Sequence, residues 1–177
     1  AIYGGLIFVA SSPRVVTEAQ ARQVMTAAPL SYVGVFRNAD IADVVAKAEA
    51  LSLHAVQLHG NEDQAYIDAL RSALAPQVQI WKAQSVGDRL PERNLNHVDK
   101  YVLDNGQGGT GQRFDWSLLH GEVLDNVLLA GGLSPDNCVE AAKAGCAGLD
   151  FNSGVESQPG IKDASKLASV FKTLRAY

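Results

Sequence analysis

Asp104 closes a short apolar run, Tyr101-Val102-Leu103, and is followed by a stretch rich in glycine, with Gly106, Gly108, Gly109 and Gly111. A carboxylate at the C-terminal end of a parallel strand, beneath a glycine loop, is where α/β enzymes place proton-transfer chemistry. The alternative is a plain strand-ending turn, since Asp, Asn and Gly are turn residues. Nine residues separate Asp104 from Phe114-Asp115-Trp116, where Asp115 is placed to cap a helix. Loops between strand and helix usually run about 2–6 residues, so the extra length favours a functional loop.

Other chemically capable residues also follow apolar runs. Arg14, His59, Asp150 and Asn152 all fall at or just beyond predicted strand C-termini. Each has a plainer reading: a solvated arginine, a satisfied structural histidine, an aspartate capping its own loop. Arg37 reads as a surface charge. Two late loops are more specific as a pair. Gly131 and Gly132 follow one strand, and Asn152, Ser153 and Gly154 follow the next. Backbone amides and a short helix N-terminus in such loops bind phosphate in many barrels. Neither loop contains lysine, so anion binding there would rest on amide dipoles. The chain has no metal-ligand cluster, dinucleotide fingerprint or Walker loop, and no cofactor or metal is expected.

The elements that position these residues alternate. Strands are predicted at residues 2–9, 32–36, 54–58, 78–83, 101–103, 126–130 and 148–151. Thr17 with Gln20 forms a capping box for the first helix, which Pro29 stops. Asp40 caps a second helix over residues 41–51, with Ile41, Val44, Val45, Ala48 and Leu51 on one face. Asn61 and Gln64 form another capping pair. Residues 84–97 are poorly patterned, with one short helix at most. Ser134-Pro135 is placed to open a helix that ends near Gly145. The last helix follows Asp163 and carries Leu167, Val170, Phe171 and Leu174 on one face. The strands are near-continuous apolar runs, as parallel strands covered on both faces are.

This is a repeated strand–helix plan with no change of composition along its length, so one α/β domain over residues 1–177 is expected. Seven strand–helix units are counted, where a closed (β/α)8 barrel has eight. An open doubly wound sheet would also accept seven. The even alternation, and functional residues after many different strands, favour a (β/α)8 TIM barrel whose missing unit lies ahead of Ala1.

Bulk properties narrow the function classes. With 47% apolar and 19% charged residues the chain is an ordinary globular sequence. A net charge of −4 without a basic cluster argues against nucleic acid as a partner. No apolar run approaches the roughly 18 residues needed to span a bilayer. Cys138 and Cys146 lie too far apart along one predicted helix for a disulfide, roughly 12 Å at the helical rise. Reduced cysteines fit a cytoplasmic protein.

The segments GGLIFVASSPR, YVGVFRN, AVQLHG, LDNGQGGTGQRFDW, LLAGGLSPDN and GLDFNSGVESQPGIKD together resemble the phosphoribosylanthranilate isomerase family over essentially the whole chain. The resemblance is to the form fused behind indole-3-glycerol-phosphate synthase in enterobacteria, and so implies that fusion partner upstream. It implies a barrel without cofactor that performs an Amadori rearrangement in tryptophan biosynthesis. By motif, Asp104 matches the general acid that protonates the ribose ring oxygen. Arg14 matches the arginine that holds the anthranilate carboxylate, His59 falls in the AVQLHG motif, and Asp150 matches a substrate-contacting aspartate. Gly131, Gly132, Asn152, Ser153 and Gly154 match the phosphate-binding loops. The family's general base is a cysteine in a Cys-Gly-(Ile/Leu)-Thr motif on its first strand, which this sequence lacks. The expected unit ahead of Ala1 is the one that would hold it. Other phosphosugar barrel enzymes, or a module that binds without turnover, are the competing readings. The acid role also requires Asp104 to keep its proton near neutral pH, through burial or a neighbouring charge.

Overall fold

The first strand, β1 (Tyr3–Ile7), lies beside β2 (Ser31–Phe36), and β3 (Ala55–Leu58) and β4 (Gln79–Ser85) continue the same parallel ladder. The computed structural model describes residues 1–105 and 113–177. Helices α1 (Glu18–Ala27), α2 (Ile41–Ala50) and α3 (Gln64–Ala73) connect these strands in turn. This order is an α/β plan: a parallel neighbour is reached only by a crossover, and here each crossover is a helix. The chain packs as two compact units, the first formed by Ala1–Ala83 and Asn94–Asp99 and the second by Gln84–Arg93 and Lys100–Tyr177.

In the first unit the helices turn small or branched residues inward. Ala21, Val44, Ala48, Ile67 and Leu70 are fully or nearly buried against Leu6, Phe36, Val56, Leu58 and Ile80. Burying one such large aliphatic side chain contributes about 1.5–3 kcal/mol. Local chemistry sets the helix ends. Thr17 Oγ1 accepts from the Gln20 N–H and the Gln20 side chain accepts from the Thr17 N–H at 2.8 Å, completing the predicted capping box. Arg71 closes the end of α3 by donating to the carbonyls of Leu74, Ala75 and Val78.

The second unit holds a shorter parallel ladder, β5 (Lys100–Asp104), β6 (Val127–Leu129) and β7 (Gly148–Leu149). Helix α4 (Cys138–Lys143) follows β6. A hairpin, β8 (Glu156–Gln158) with β9 (Ile161–Lys162), precedes α5 (Ala164–Ala176). Val155, Cys138 and Val170 form a small core, with Leu167, Leu174 and Phe151 against it. The last helix begins after Asp163 as predicted, and the Asp163 side chain caps it. The Ser165 hydroxyl and backbone amides bonded to its carboxylate hold that group below the usual range.

Several local expectations are corrected. The cap of α3 is Asp63, not Asn61: Asp63 Oδ1 accepts from the Tyr66 N–H at 3.0 Å. The Asn61 N–H is engaged by Asn38 Oδ1, and Gln64 is already helical. Asp40 precedes α2 without a side-chain cap bond. Residues 86–97 form no helix. After Asp115 the chain makes only a 3₁₀ turn, Trp116–Leu119, with Asp115 Oδ1 accepting from the Ser117 N–H at 2.9 Å. Ser134-Pro135 opens a turn instead of the helix, and α4 starts at Cys138 behind Asn137. The β8–β9 hairpin was not anticipated.

Candidate active site

Three strand ends in the second unit bring the acid candidate and both glycine loops together. The Ala130 N–H donates to the Leu103 carbonyl and the Asp150 N–H to the Leu129 carbonyl, each at 2.8 Å. The ladder therefore runs one step past the regular strands, and Asp104, Ala130 and Asp150 finish on the same edge. Asp104 is half-buried and Asp150 is exposed. Asp104 Oδ1 accepts from the Asn105 N–H at 2.6 Å, and the Asp104 carbonyl accepts from the Val86 N–H at 2.7 Å.

Gly131 is what lets the loop after β6 approach this carboxylate. Its φ is +83°, and a Cβ there would collide with Asp104 Oδ1. Gly131→Ala is therefore expected to strain the backbone and displace the carboxyl group, at a cost of about 1–3 kcal/mol. Urea denaturation and kcat measured on the same preparation would both fall; an unchanged kcat would remove the claim that this glycine seats Asp104.

The two anion-loop candidates abut. Asn137 ties the first: its Nδ2 donates to the Gly132 carbonyl at 2.8 Å, and its Oδ1 accepts from the Ser134 N–H at 2.9 Å. The next carbonyl, Leu133, lies directly against Gly154, leaving no room for a side chain. Asn152 then leads into a 3₁₀ turn, Ser153–Val155. Lysine is absent from both loops in sequence, yet Lys162 reaches the second from β9. Its Nζ lies 2.7 Å from Asn152 Oδ1 and 3.1 Å from the Asn152 carbonyl oxygen. Sequence distance hid this contact, because the hairpin that returns the chain was not predicted.

Beside Asn105 a cavity of about 430 Å³ opens, lined by Val86, Asp88, Arg113, Phe114 and Leu118 among others. That is within the range of small-molecule sites. Arg113 stacks over Trp116 at 4.8 Å and pairs with Glu140 at 2.7 Å. The glycines at 106, 108, 109 and 111, and the functional role expected of their loop, lie outside the described residues.

Arg14 and His59 belong to the first unit. After β1 the chain makes a tight turn in which the Arg14 N–H donates to Ser12 Oγ at 3.1 Å. Val15 then bridges back to Ile7, which keeps Arg14, half-buried, beside the end of β1. The His59 N–H continues the ladder onto the Phe36 carbonyl at 2.8 Å, immediately beyond β3. Arg37 is exposed, as read from sequence.

Sequence reasoning missed Glu62 and Lys82, whose side chains are 1% and 7% exposed and 3.2 Å apart. Glu62 accepts from the N–H groups of Asn38 and Gly60 at 2.7 and 2.9 Å. Lys82 Nζ donates to the carbonyl of Gly60 at 2.8 Å. The pair thus locks the loop ends of β2 and β3 on either side of His59. The signal was present: a lysine inside the apolar run Ile80-Trp81-Lys82-Ala83 must find a partner if it is buried.

Neither cysteine stands at a strand end. Cys138 is buried on α4, and Cys146 lies between α4 and β7, where burial pushes its thiol up to about 11. Both are free.

Comparison with known proteins places these features in a family. The N-(5'-phosphoribosyl)anthranilate isomerase family matches residues 1–173. The tryptophan biosynthesis protein TrpCF of Salmonella typhi is 74% identical over 177 residues, all of this chain but 39% of that protein. The chain therefore spans about two fifths of the length of such curated relatives. The crystal structure of phosphoribosyl anthranilate isomerase from Thermus thermophilus superposes with a TM-score of 0.86 at 28% identity, covering 99% of this chain and 88% of that one. A phosphoribosyl anthranilate isomerase in complex with reduced 1-(o-carboxyphenylamino)-1-deoxyribulose 5-phosphate does so at 0.79 and 28% identity, covering 100% and 89%. With the family match over residues 1–173 behind these likenesses, this chain belongs to the N-(5'-phosphoribosyl)anthranilate isomerase family.

Proposed function

We propose that this chain serves the Amadori rearrangement of N-(5-phosphoribosyl)anthranilate to 1-(2-carboxyphenylamino)-1-deoxyribulose 5-phosphate in tryptophan biosynthesis. One observation carries the reading: the Asp104 carboxyl sits against Gly131, at the start of a loop that itself abuts Gly154. A carboxyl group and two glycine turns lie close together in the second unit, which supports a site for a ribose phosphate. Family membership supports the same reading, as does the complex of a relative with a reduced product.

In this proposal Asp104 donates its proton to the ribose ring oxygen. The bond from that oxygen to C1 breaks, and the anilino nitrogen supplies electrons to form the Schiff base. Loss of the C2 proton then gives an enolamine, which tautomerises to the ketone. Removal of that proton is assigned to no residue of this chain: the Cys-Gly-(Ile/Leu)-Thr motif is absent from its sequence. Gly131, Gly132, Asn152, Ser153 and Gly154 bind the phosphate through backbone amides. Arg14 holds the anthranilate carboxylate by charge-assisted hydrogen bonds, and His59 and Asp150 complete the substrate contacts. The reaction is acid–base chemistry and asks for no cofactor or metal.

The same proposal makes the parallel strands part of a (β/α)8 barrel, one domain with the described units, fused behind indole-3-glycerol-phosphate synthase. The parallel order of strands and the length of the TrpCF relatives support it. Among the described residues no helix is long and apolar enough to cross a membrane. With two free cysteines this fits a cytoplasmic enzyme, and the net charge of −4 fits one with no nucleic-acid partner.

The test is turnover of phosphoribosylanthranilate by the full-length protein, followed through the change in its fluorescence. Arg14→Ala is expected to raise KM at least tenfold, the loss of one charge-assisted contact at about 1.4 kcal/mol per decade, with kcat little changed. An unchanged KM would remove Arg14 from the site.

A further inference from the structure

We infer that Lys162 is a positioning residue for phosphate: together with buried Glu156 it clamps Asn152 and so shapes the turn that binds the anion, without binding the anion itself. The inference rests on the phosphate role proposed above for that turn.

The geometry is specific. Lys162 Nζ donates to Asn152 Oδ1 at 2.7 Å, to the Asn152 carbonyl at 3.1 Å and to Glu156 Oε1 at 2.8 Å. An ammonium has three hydrogens, and these three acceptors use them. Asn152 is held at φ −125° and ψ −94°, outside the helical and extended regions. Such a backbone persists when its surroundings over-determine it, and here Lys162 grips both the carbonyl and the side chain of the residue. Glu156 is a firm anchor. Its side chain is 4% exposed, its Oε1 also accepts from the Gly160 N–H at 3.3 Å, and its carbonyl accepts from Lys166 Nζ at 2.8 Å. The hairpin therefore acts as a brace between α5 and the loop after β7. Just beyond the clamp, Gly154 lies against the Leu133 carbonyl, so a shift at Asn152 would also move the junction of the two anion loops.

A clamp and a direct ligand respond oppositely to loss of Glu156. If Lys162 bound phosphate directly, Glu156→Gln would release its charge toward the anion and tighten binding. If Lys162 is a clamp, Glu156→Gln weakens the brace and loosens binding. The experiment is titration of the full-length protein with inorganic phosphate, with steady-state kinetics on the same samples. Lys162→Met and Glu156→Gln are both expected to weaken phosphate affinity and raise KM by about five- to tenfold, with kcat within about twofold, and Lys162→Arg should restore most of the loss. Tighter phosphate binding by Glu156→Gln, or unchanged affinity in Lys162→Met, would overturn the clamp. Should either variant unfold, amide exchange at Ser153 and Gly154 in Lys162→Gln against the wild type decides: faster exchange supports the clamp, and equal protection overturns it. Failure of the wild type to bind phosphate would take down the functional reading, and the clamp with it, whereas wild-type binding with indifferent variants removes only the clamp.

Discussion

Asp104→Asn in the full-length protein is expected to lower kcat by about 10²–10⁴-fold, the range for a positioned acid or base, while KM changes little. The asparagine keeps the size of the side chain. Its carbonyl oxygen can still accept from the Asn105 N–H, now 2.6 Å away, and can still occupy the space beside Gly131. In the proposed mechanism, what is lost is the proton that the ring oxygen receives as its bond to C1 breaks. An amide has no comparably acidic hydrogen, so the barrier rises while the binding surface stays. Asp104→Ala is expected to lose as much rate, and to relax the Gly131 backbone as well. Near-full kcat in Asp104→Asn would defeat the acid assignment whatever the binding data showed.

Lys82→Met is expected to destabilise the protein by about 3–5 kcal/mol, the usual result of removing one partner of a buried pair. The methionine fills much of the same volume, so packing is not the main loss. Glu62 would be left 1% exposed, beside a position that no longer offers a cation. The carbonyls of Leu58, Gly60 and Ala83 would lose their lysine donor too. At about 2–4 °C per kcal/mol for a protein of this size, the melting temperature should fall by roughly 6–20 °C. The double variant Lys82→Met with Glu62→Gln should recover part of this, since the unpaired charge is gone. Additive losses in that cycle would show that the two side chains are not coupled. Because the pair flanks His59, a substrate contact in the proposed function, residual activity of the folded single variant should also show a raised KM.

Much of this protein was legible one element at a time. The Thr17–Gln20 capping box, the start of the last helix after Asp163 and the alternation of apolar runs with amphipathic helices are written within a few residues of where they act. Local hydrogen bonds and side-chain periodicity decide such features, and both can be read along the chain. The acid candidate was legible for a related reason: a carboxylate followed by glycines marks a strand end wherever the strand later packs. Where local signals competed, tertiary contacts chose among them. Asn61 lost the cap of α3 because its own N–H was drawn to Asn38, 23 residues earlier. The helix expected at Ser134 was delayed because Asn137 folded back onto Gly132 and Ser134.

By itself the sequence determined the parallel strand–helix plan, the strand-end places of Asp104, Arg14, His59 and Asp150, and the two glycine turns. Only the tertiary structure decided that Gly131 seats Asp104, that Gly154 meets Leu133, that Glu62 and Lys82 share a buried site, and that Lys162 reaches Asn152. The physical reason is range. Capping and periodicity act over one or two helical turns. A buried charge or a glycine without space for a side chain answers to whatever the fold brings against it, and those neighbours come from distant parts of the chain.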